Sequence, residues 1–384
     1  MGKLRIDFEW QNSDQIQGEE LNETFASLSI SYDDQFITRA FKYRSKTVTK
    51  ELYLPLYPMA EWFVLNWWYL FAEVYNPNRI NYHQRHNLSF AQDGYALPDL
   101  NIRPSGQKVE LIWSPQKRNL QRLDFLSAGQ GIVDILDLKD QLSDLINQTI
   151  GRLEAYNICD TLLQKEWSSI LNADEEEQEF CSLAASSGKD PYGMSEIEQQ
   201  LLINLYNKIP KNIGAEFFPV CNFDKIEEEA DIITRILSEI HSDSDHFENI
   251  KNIRDRVNKK LNFFGDRFSN SAPWLRGYEF AKIIRSEGLS GKIADIEYDF
   301  IGAQEVNLNI PKTINAISGC THNNNLQIVF SNNNPQSKRF VFYRALYDYF
   351  SSHEAISYLI TKSHTENQKA NRAFAAECLI PVIH

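Results

Sequence analysis

The spacing of apolar residues changes twice along the chain, and this constrains the fold more than any other feature of the sequence. In the first part apolar and polar residues alternate, as in Leu4, Ile6, Phe8 and Trp10, which is typical of half-buried strands. Further on, the period becomes that of amphipathic helices, and the last third mixes both patterns. The sequence therefore predicts a multidomain α+β protein. Its predicted parts are a β-rich N-terminal domain, an acidic helical middle region and an α+β C-terminal domain, over residues 1–140, 141–271 and 272–384.

One aromatic helix is predicted within the N-terminal domain. A run of β-branched and aromatic residues, Thr47 to Leu56, stops before Pro58, a residue that suits the first turn of a helix. Apolar side chains then recur at helical spacing, at Phe63, Trp67, Leu70 and Val74. We expect this wide aromatic face to pack against the sheet as core. A partner protein or a membrane surface is the alternative.

The middle region predicts three to five helices. One of them starts with a capping-box sequence, Ser195 to Glu198, and residues 231–240 and 247–264 are amphipathic. In the last third, Pro273 and Trp274 open a helix, and a hairpin is predicted around the turn residues 322–325. Two further helices, over residues 337–350 and 365–379, close the chain.

The negative charge of the chain is concentrated in its middle. The whole chain has a formal net charge of −13, but residues 151–250 alone hold 21 acidic and 7 basic side chains. The next stretch, residues 251–285, holds nine basic side chains against three acidic ones. The average charge excludes a generally basic nucleic-acid binder, while the basic stretch leaves local nucleic-acid contact open. The acidic region is a candidate docking surface for a positively charged partner.

Several classes of protein are excluded by missing signals. The N-terminus has no secretory signal, and the most apolar segment, residues 59–75, is too short and too polar to span a bilayer. The five cysteines are widely spaced without any CxxC, which predicts reduced thiols in the cytoplasm. Phosphate-binding loops of the GxxxxGK[ST] or GxGxxG type and the GxSxG motif are absent. Histidine pairs at His83 and His86 and at His241 and His246 are interpreted as solvated or hydrogen-bonded groups.

The C-terminal 110 or so residues carry a specific resemblance. The order helix, hairpin, SKRFVFYRALYDYF and ENQKANRAFAAECLIP is similar to the ImmA/IrrE family of bacterial metallopeptidase domains, and the stretch Arg372 to Pro381 is its most specific part. The resemblance implies a zincin-like α+β domain whose active-site helix starts near Arg339 and Phe340. In such domains HExxH supplies two zinc-binding histidines and a glutamate that acts as general base.

The residues at the implied zinc site are chemically unsuited to it. The resemblance places Arg344 at the first histidine, Ala345 at the catalytic glutamate and Asp348 at the second histidine. Gln368 takes the place of the third ligand, with Glu366 two residues away. Arginine stays protonated and does not ligate zinc, and alanine cannot accept a proton. We therefore expect no peptidase activity, metal or cofactor here. A salt bridge between Arg344 and Asp348 is the simplest expectation, and binding of a carboxylate or phosphate by Arg344 is the alternative.

Three functional hypotheses remain open. The first is a noncatalytic protein-interaction or regulatory subunit on a degenerate metallopeptidase scaffold. The resemblance implies a setting in bacterial stress response, toxin-antitoxin pairs or anti-phage defence, with an effector or toxin encoded nearby as partner. The second is a hydrolase with a relocated or rebuilt metal site, for which His322, His353, Glu354 and His364 are candidates. The third is a nucleic-acid-associated factor that uses Arg254, Arg256, Lys259 and Lys260 of the basic stretch. No membrane partner is expected.

Overall fold

The chain is divided by its internal contacts into two compact units, Met1–Gly193 and Met194–His384. A computed structural model describes residues 2–13, 16–77, 79–91, 93–116, 123–242, 253–260, 271–294, 297, 310–320, 326–332, 334–351 and 357–380. Both units combine α-helices with antiparallel strands, which confirms the predicted α+β class. None of the described helices combines the length and the apolar character needed to cross a membrane.

The strands of the first unit form three antiparallel sheets. In chain order they are β1 (Leu4–Trp10), β2 (Phe25–Tyr32), β3 (Gln35–Phe36), β4 (Ala40–Lys42), β5 (Thr47–Thr49), β6 (Leu52–Pro55), β7 (Asp99–Ser105), β8 (Lys108–Ser114), β9 (Leu123–Phe125) and β10 (Gly129–Asp134). β2 pairs with β1, β3 and β6; β4 pairs with β5 and β9; β8 pairs with β7 and β10. The alternation read from the sequence is seen in β1, where Leu4, Ile6, Phe8 and Trp10 are the less exposed positions.

The helices of the first unit cover these sheets. They are α1 (Glu19–Glu23), α2 (Tyr57–Leu65), α3 (Trp67–Ala72), α4 (Tyr82–His86), α5 (Ile135–Ala155), α6 (Leu162–Asn172) and α7 (Glu175–Ser186). The predicted single aromatic helix is therefore two helices, and Val74 lies beyond both. The first one ends at Asn66, whose side-chain Nδ2 and backbone N–H both donate to the Trp62 carbonyl, at 2.8 and 3.1 Å. Phe63, Trp67 and Leu70 are buried in the apolar core, as expected.

The second unit contains a three-stranded antiparallel sheet and a set of helices. Its elements are α8 (Glu196–Lys208), α9 (Lys211–Phe217), α10 (Ile226–Ser242), α11 (Pro273–Ser286), β11 (Ile314–Cys320), β12 (Leu326–Phe330), α12 (Pro335–Ser351), β13 (Tyr358–Thr361) and α13 (Glu366–Leu379). β11 lies between β12 and β13. Residues 253–260 are also helical. The predicted hairpin and the predicted capping box of Ser195 and Glu198 are both confirmed, whereas β13 was not predicted.

The helices that the sequence assigned to one middle region are shared between the two units. α5 belongs to the first unit because Leu138, Leu142, Leu145 and Ile146 are buried in the same apolar core as its strands. α8, α9 and α10 belong to the second unit, where α9 packs on β13 and α10 packs on β11. The described residues contain six helices between positions 135 and 242, which exceeds the three to five expected.

Two helices of the second unit approach each other unusually closely. A Cβ atom at Gly277 of α11 would lie 2.2 Å from the carbonyl oxygen of Ala370 in α13, so only glycine fits there. Phe280 of α11 and Phe374 of α13 then pack edge to face, with ring centroids 5.8 Å apart. This contact holds α13 beside the core and so fixes the position of its polar side chains.

Candidate functional site

Arg344, Ala345 and Asp348 lie within the buried core of the second unit. They are on α12, where every residue from Val341 to Phe350 is buried. Arg344 is 2% exposed and Asp348 is fully buried. A helix with buried side chains all round places its polar residues inside the protein, where each polar group needs a partner.

Arg344 donates hydrogen bonds to two other elements of the unit. Its Nε donates to Asn371 Oδ1 at 2.8 Å, and its Nη2 donates to the Thr361 carbonyl at 2.8 Å and to Gln368 Oε1. Asn371 and Gln368 are on α13, and Thr361 ends β13. All three acceptors are uncharged. The guanidinium therefore joins α12, β13 and α13 through neutral groups.

The expected salt bridge between Arg344 and Asp348 is not formed. Asn371 lies between the two side chains: its Oδ1 accepts from Arg344, and its Nδ2 donates to the Asp348 carboxyl oxygens at 3.4 and 3.5 Å. Asn367 Nδ2 donates to Asp348 Oδ1 at 3.0 Å. The expectation was wrong because the sequence spacing of four residues shows that two side chains share a helix face, but not that a third side chain separates them.

Gln368, at the implied third ligand position, is fully engaged within the protein. Its Oε1 accepts from the Thr361 backbone N–H at 3.0 Å as well as from Arg344, and its Nε2 donates to the Leu359 carbonyl at 2.7 Å. The nearby Glu366 is paired with Arg276 at 3.2 Å. The side chain of Gln368 therefore ties the start of α13 to β13.

A buried glutamate that sequence reasoning missed completes this network. Glu216 of α9 is 6% exposed, and its carboxyl oxygens accept from Thr365 Oγ1 at 2.8 Å and from Ser363 Oγ at 3.3 Å. The one signal in the sequence is its position within an apolar run, between the buried Ile213 and Phe217. We call the set Glu216, Arg344, Asp348, Thr361, Gln368 and Asn371 the polar core.

Burial dominates the electrostatics of the polar core. It raises the pKa of Asp348 to about 8 and that of Glu216 to about 7, against hydrogen-bond donors that favour the ionised carboxylates. Burial also lowers the pKa of Arg344 to about 9, helped by the guanidinium of Arg372, whose Nη2 donates to the same Thr361 carbonyl at 3.2 Å. Arg344 still carries its charge at neutral pH.

These side chains do not fit the zinc ion that the resemblance implies. Two guanidinium groups share one carbonyl acceptor at the place in question, and a divalent cation would be repelled by them. The amide oxygens of Gln368 and Asn371 are already accepting from Arg344, and Ala345 provides no base. Within the described residues, no group of three or more His, Cys, Asp or Glu side chains is placed to hold a metal ion.

The other predicted binding residues differ in their exposure and in their contacts. Arg254 is 7% exposed and lies over the ring of Tyr349, 5.0 Å from its centroid. Arg256 and Lys260 are exposed, but both bind Glu287, at 3.2 and 3.0 Å. Lys259 is exposed. The basic residues of this segment therefore do not act as one set of unpaired cations, which weakens the case for nucleic-acid contact.

The first unit contains its own buried polar network, which is ionic and is centred on Glu73. The fully buried Glu73 carboxylate accepts from Arg85 Nε and Nη2 at 2.8 and 2.5 Å and lies 3.0 Å from His86 Nε2. Burial opposes ionisation of Glu73, but the donors of His86 and Arg85 outweigh it and lower its pKa. His86 Nδ1 lies 2.8 Å from the Ile102 carbonyl, and His83 is exposed. His86 is therefore hydrogen-bonded and His83 is exposed, in agreement with the interpretation of the two side chains as hydrogen-bonded or solvated groups.

The acidic side chains of the middle region cluster at helix starts, and most of the remaining histidine candidates lie outside the described residues. His364, a candidate for the rebuilt metal site, is described and is partly buried. Asp174 caps α7, and the glutamates that follow it, like Glu227 to Glu229 in α10, occupy first helical turns, where negative charge is stabilising. The side chains of His241 and His246, and residues His322, His353 and Glu354 of the proposed rebuilt metal site, lie outside the described residues. No protein-family model, curated protein sequence or solved structure matches the chain.

Proposed function

We propose that the chain is a noncatalytic protein-interaction or regulatory subunit built on a degenerate metallopeptidase scaffold. The polar core is the observation that supports this proposal. At the positions where a zinc site is implied, Arg344 donates hydrogen bonds to Asn371, Thr361 and Gln368 of the same protein. Side chains that are buried and hydrogen-bonded to one another in this way stabilise a fold, and they offer no free base, nucleophile or ligand to a substrate.

The burial of Arg344 also limits its possible role in binding. A side chain that is 2% exposed contacts a ligand only if α12 and α13 separate, which would leave Asn371 and Gln368 without their donor. The proposal therefore assigns partner binding to the surface of the protein, with the polar core as its support. The setting implied by the resemblance is bacterial regulation, a toxin-antitoxin pair or a defence system.

Purification from native cells tests this proposal. The chain, tagged and expressed at its natural level, is expected to bring down one protein at a fixed molar ratio, with no zinc above background and no cleavage of denatured casein. A tagged, unrelated acidic protein provides the control for nonspecific capture. A chain that remains alone under several salt conditions would count against a binding subunit. Stoichiometric zinc together with peptide hydrolysis would contradict the noncatalytic part and favour the rebuilt-site hydrolase instead.

A further inference from the structure

The helix α2 carries apolar side chains on two opposite faces. Met59, Ala60, Phe63 and Val64 are buried in the core of the first unit. Pro58, Trp62 and Leu65 follow one another at helical spacing on the other side, where they line a groove of about 460 Å³ together with Phe90. This volume lies within the range typical of ligand and peptide pockets.

The floor of this α2 groove is apolar and partly exposed. Leu65 and Phe90 are 50% and 49% exposed, which is high for such large apolar side chains. The Trp62 indole N–H donates to the Gln84 carbonyl at 3.1 Å, so its polar atom is satisfied and its ring is left for apolar contact. Aromatic side chains with this arrangement are typical anchors at the centre of protein interfaces.

The rim of the α2 groove is uniformly acidic. Among the described residues, Glu20, Glu61 and Asp93 are its charged lining residues, and no basic one lines it. Glu61 is held in place by the Tyr57 hydroxyl, which donates to its Oε1 at 2.7 Å. An apolar floor with an acidic rim complements a segment in which apolar side chains are flanked by lysine or arginine.

We propose that the α2 groove is the docking site for a short amphipathic segment of a partner protein, with two apolar side chains within one helical turn and flanking basic residues. A second copy of the chain would bring the same three carboxylates face to face, which is repulsive in a two-fold contact. An anionic membrane surface would likewise be repelled by the rim. The proposal rests on the binding function proposed above and assigns it a surface.

A displayed library of random peptides, selected for binding to the full chain, tests the groove directly. Enriched peptides are expected to carry the apolar pair with flanking lysine or arginine. Their synthetic versions should bind the double variant Leu65→Ser/Phe90→Ser at least about 10-fold more weakly than the wild type. The matched control is Leu136→Ser/Leu171→Ser, at leucines that are 62% and 63% exposed in α5 and α6, and it should bind as the wild type does.

A charge-reversal pair tests the acidic rim. Glu20→Lys/Asp93→Lys should weaken the same peptides about 10-fold or more and reduce the salt dependence of their binding. The control pair Asp140→Lys/Glu154→Lys, at exposed positions of α5, should do neither.

Four outcomes with the isolated chain would overturn the proposal, and the native partner provides a fifth. They are a library without binders, peptides indifferent to both groove variants, binding of the wild type to vesicles of phosphatidylcholine with phosphatidylglycerol, and self-association abolished by Leu65→Ser/Phe90→Ser. Copurification of the native partner with the groove variants distinguishes this proposal from the proposed function. A partner that copurifies equally with wild type and both groove variants would leave the chain a binding subunit but overturn the groove.

Discussion

At the scale of single residues, the polar core shows how a guanidinium is accommodated in a protein interior without a counter-ion in contact. Arg344 donates to the Asn371 amide, the Thr361 carbonyl and the Gln368 amide. Asn371 in turn donates to Asp348, so that it links the two side chains. Each of these groups depends on the others, because a buried polar atom that loses its partner is costly. Substitutions here are therefore expected to act far more strongly than at the surface.

Arg344→Ala is expected to destabilise the second unit strongly. The change removes three hydrogen bonds, leaves Gln368 Oε1 and Asn371 Oδ1 without the guanidinium donor, and opens a cavity. Unsatisfied buried acceptors and a cavity together cost about 3–5 kcal/mol in the free energy of unfolding. Arg256→Ala, at an exposed ion pair with Glu287, should cost less than about 1 kcal/mol. Urea unfolding of both variants measures the difference, and equal costs would contradict the role of the polar core.

Asp348→Asn is expected to change the pH dependence of stability. Because the folded-state pKa is about 8 and the ordinary value is 3.8, the folded protein keeps a proton that the unfolded chain loses as pH rises between them. The contribution of Asp348 to stability is therefore present below about pH 4 and is lost as pH rises through about 8. The variant does not titrate, so its free energy of unfolding should fall less than that of the wild type between about pH 5 and about pH 8.

Glu216→Gln is the matched control for that experiment. Its carboxyl shifts in the same direction, but only to about 7, so its contribution is lost at lower pH. The two variants should flatten different parts of the stability curve. A wild-type curve that does not fall over this range, or an Asp348→Asn curve that falls equally, would argue against a protonated Asp348 in the folded state.

At the scale of elements, the periodicity of apolar residues predicted the helices and the hairpin. Which elements pack against each other depends on contacts between residues distant in sequence, and periodicity does not show these. The capping box at Ser195 and the spacing of α12 were readable because they are local. The break at Asn66 was not, since it depends on one side chain that bonds back to its own helix. Glu216 could not be assigned to the site from sequence, because its partner Thr365 is 149 residues away.

Gly277→Ala tests the contact between α11 and α13. The added methyl group would lie 2.2 Å from the Ala370 carbonyl oxygen, so the helices must separate, at a cost of about 1–3 kcal/mol. Gly151→Ala in α5 is the control, because no atom lies within 4 Å of the added Cβ. Since alanine is a better helix former than glycine, this change should raise the free energy of unfolding by about 0.5–1 kcal/mol. Thermal unfolding compares the two variants. A stabilising Gly277→Ala would contradict the close approach.

At the scale of the whole molecule, the division at residues 193 and 194 separates two apolar cores, each with its own buried network of polar side chains. Sequence composition suggested three regions because acidic side chains and helices cluster in the middle. Charge reports on surfaces rather than on cores, so it does not mark domain boundaries. The buried apolar face of α5 instead places that helix in the first core, and α10 belongs to the second unit, where it packs on β11.

Hydrogen exchange should show that the two units respond separately to core substitutions. Gly277→Ala is expected to reduce the protection of amides in α11, α12 and α13, and to leave β1, β2, β7 and β8 unchanged. Ala substitution of Leu142 in α5, which is buried in the first core, should give the reverse pattern. Loss of protection throughout the chain in either variant would indicate a single cooperative unit.

The connections of Arg344 also set an order for folding of the second unit. Its acceptors lie 17, 24 and 27 residues further along the chain, so the charge can leave water only after β13 and α13 have joined α12. We therefore expect Arg344 to stay hydrated until late in folding and its hydrogen bonds to contribute little to the folding transition state. Their loss would speed unfolding much more than it slows folding. On this expectation, the polar core governs how long the folded second unit persists once it has formed.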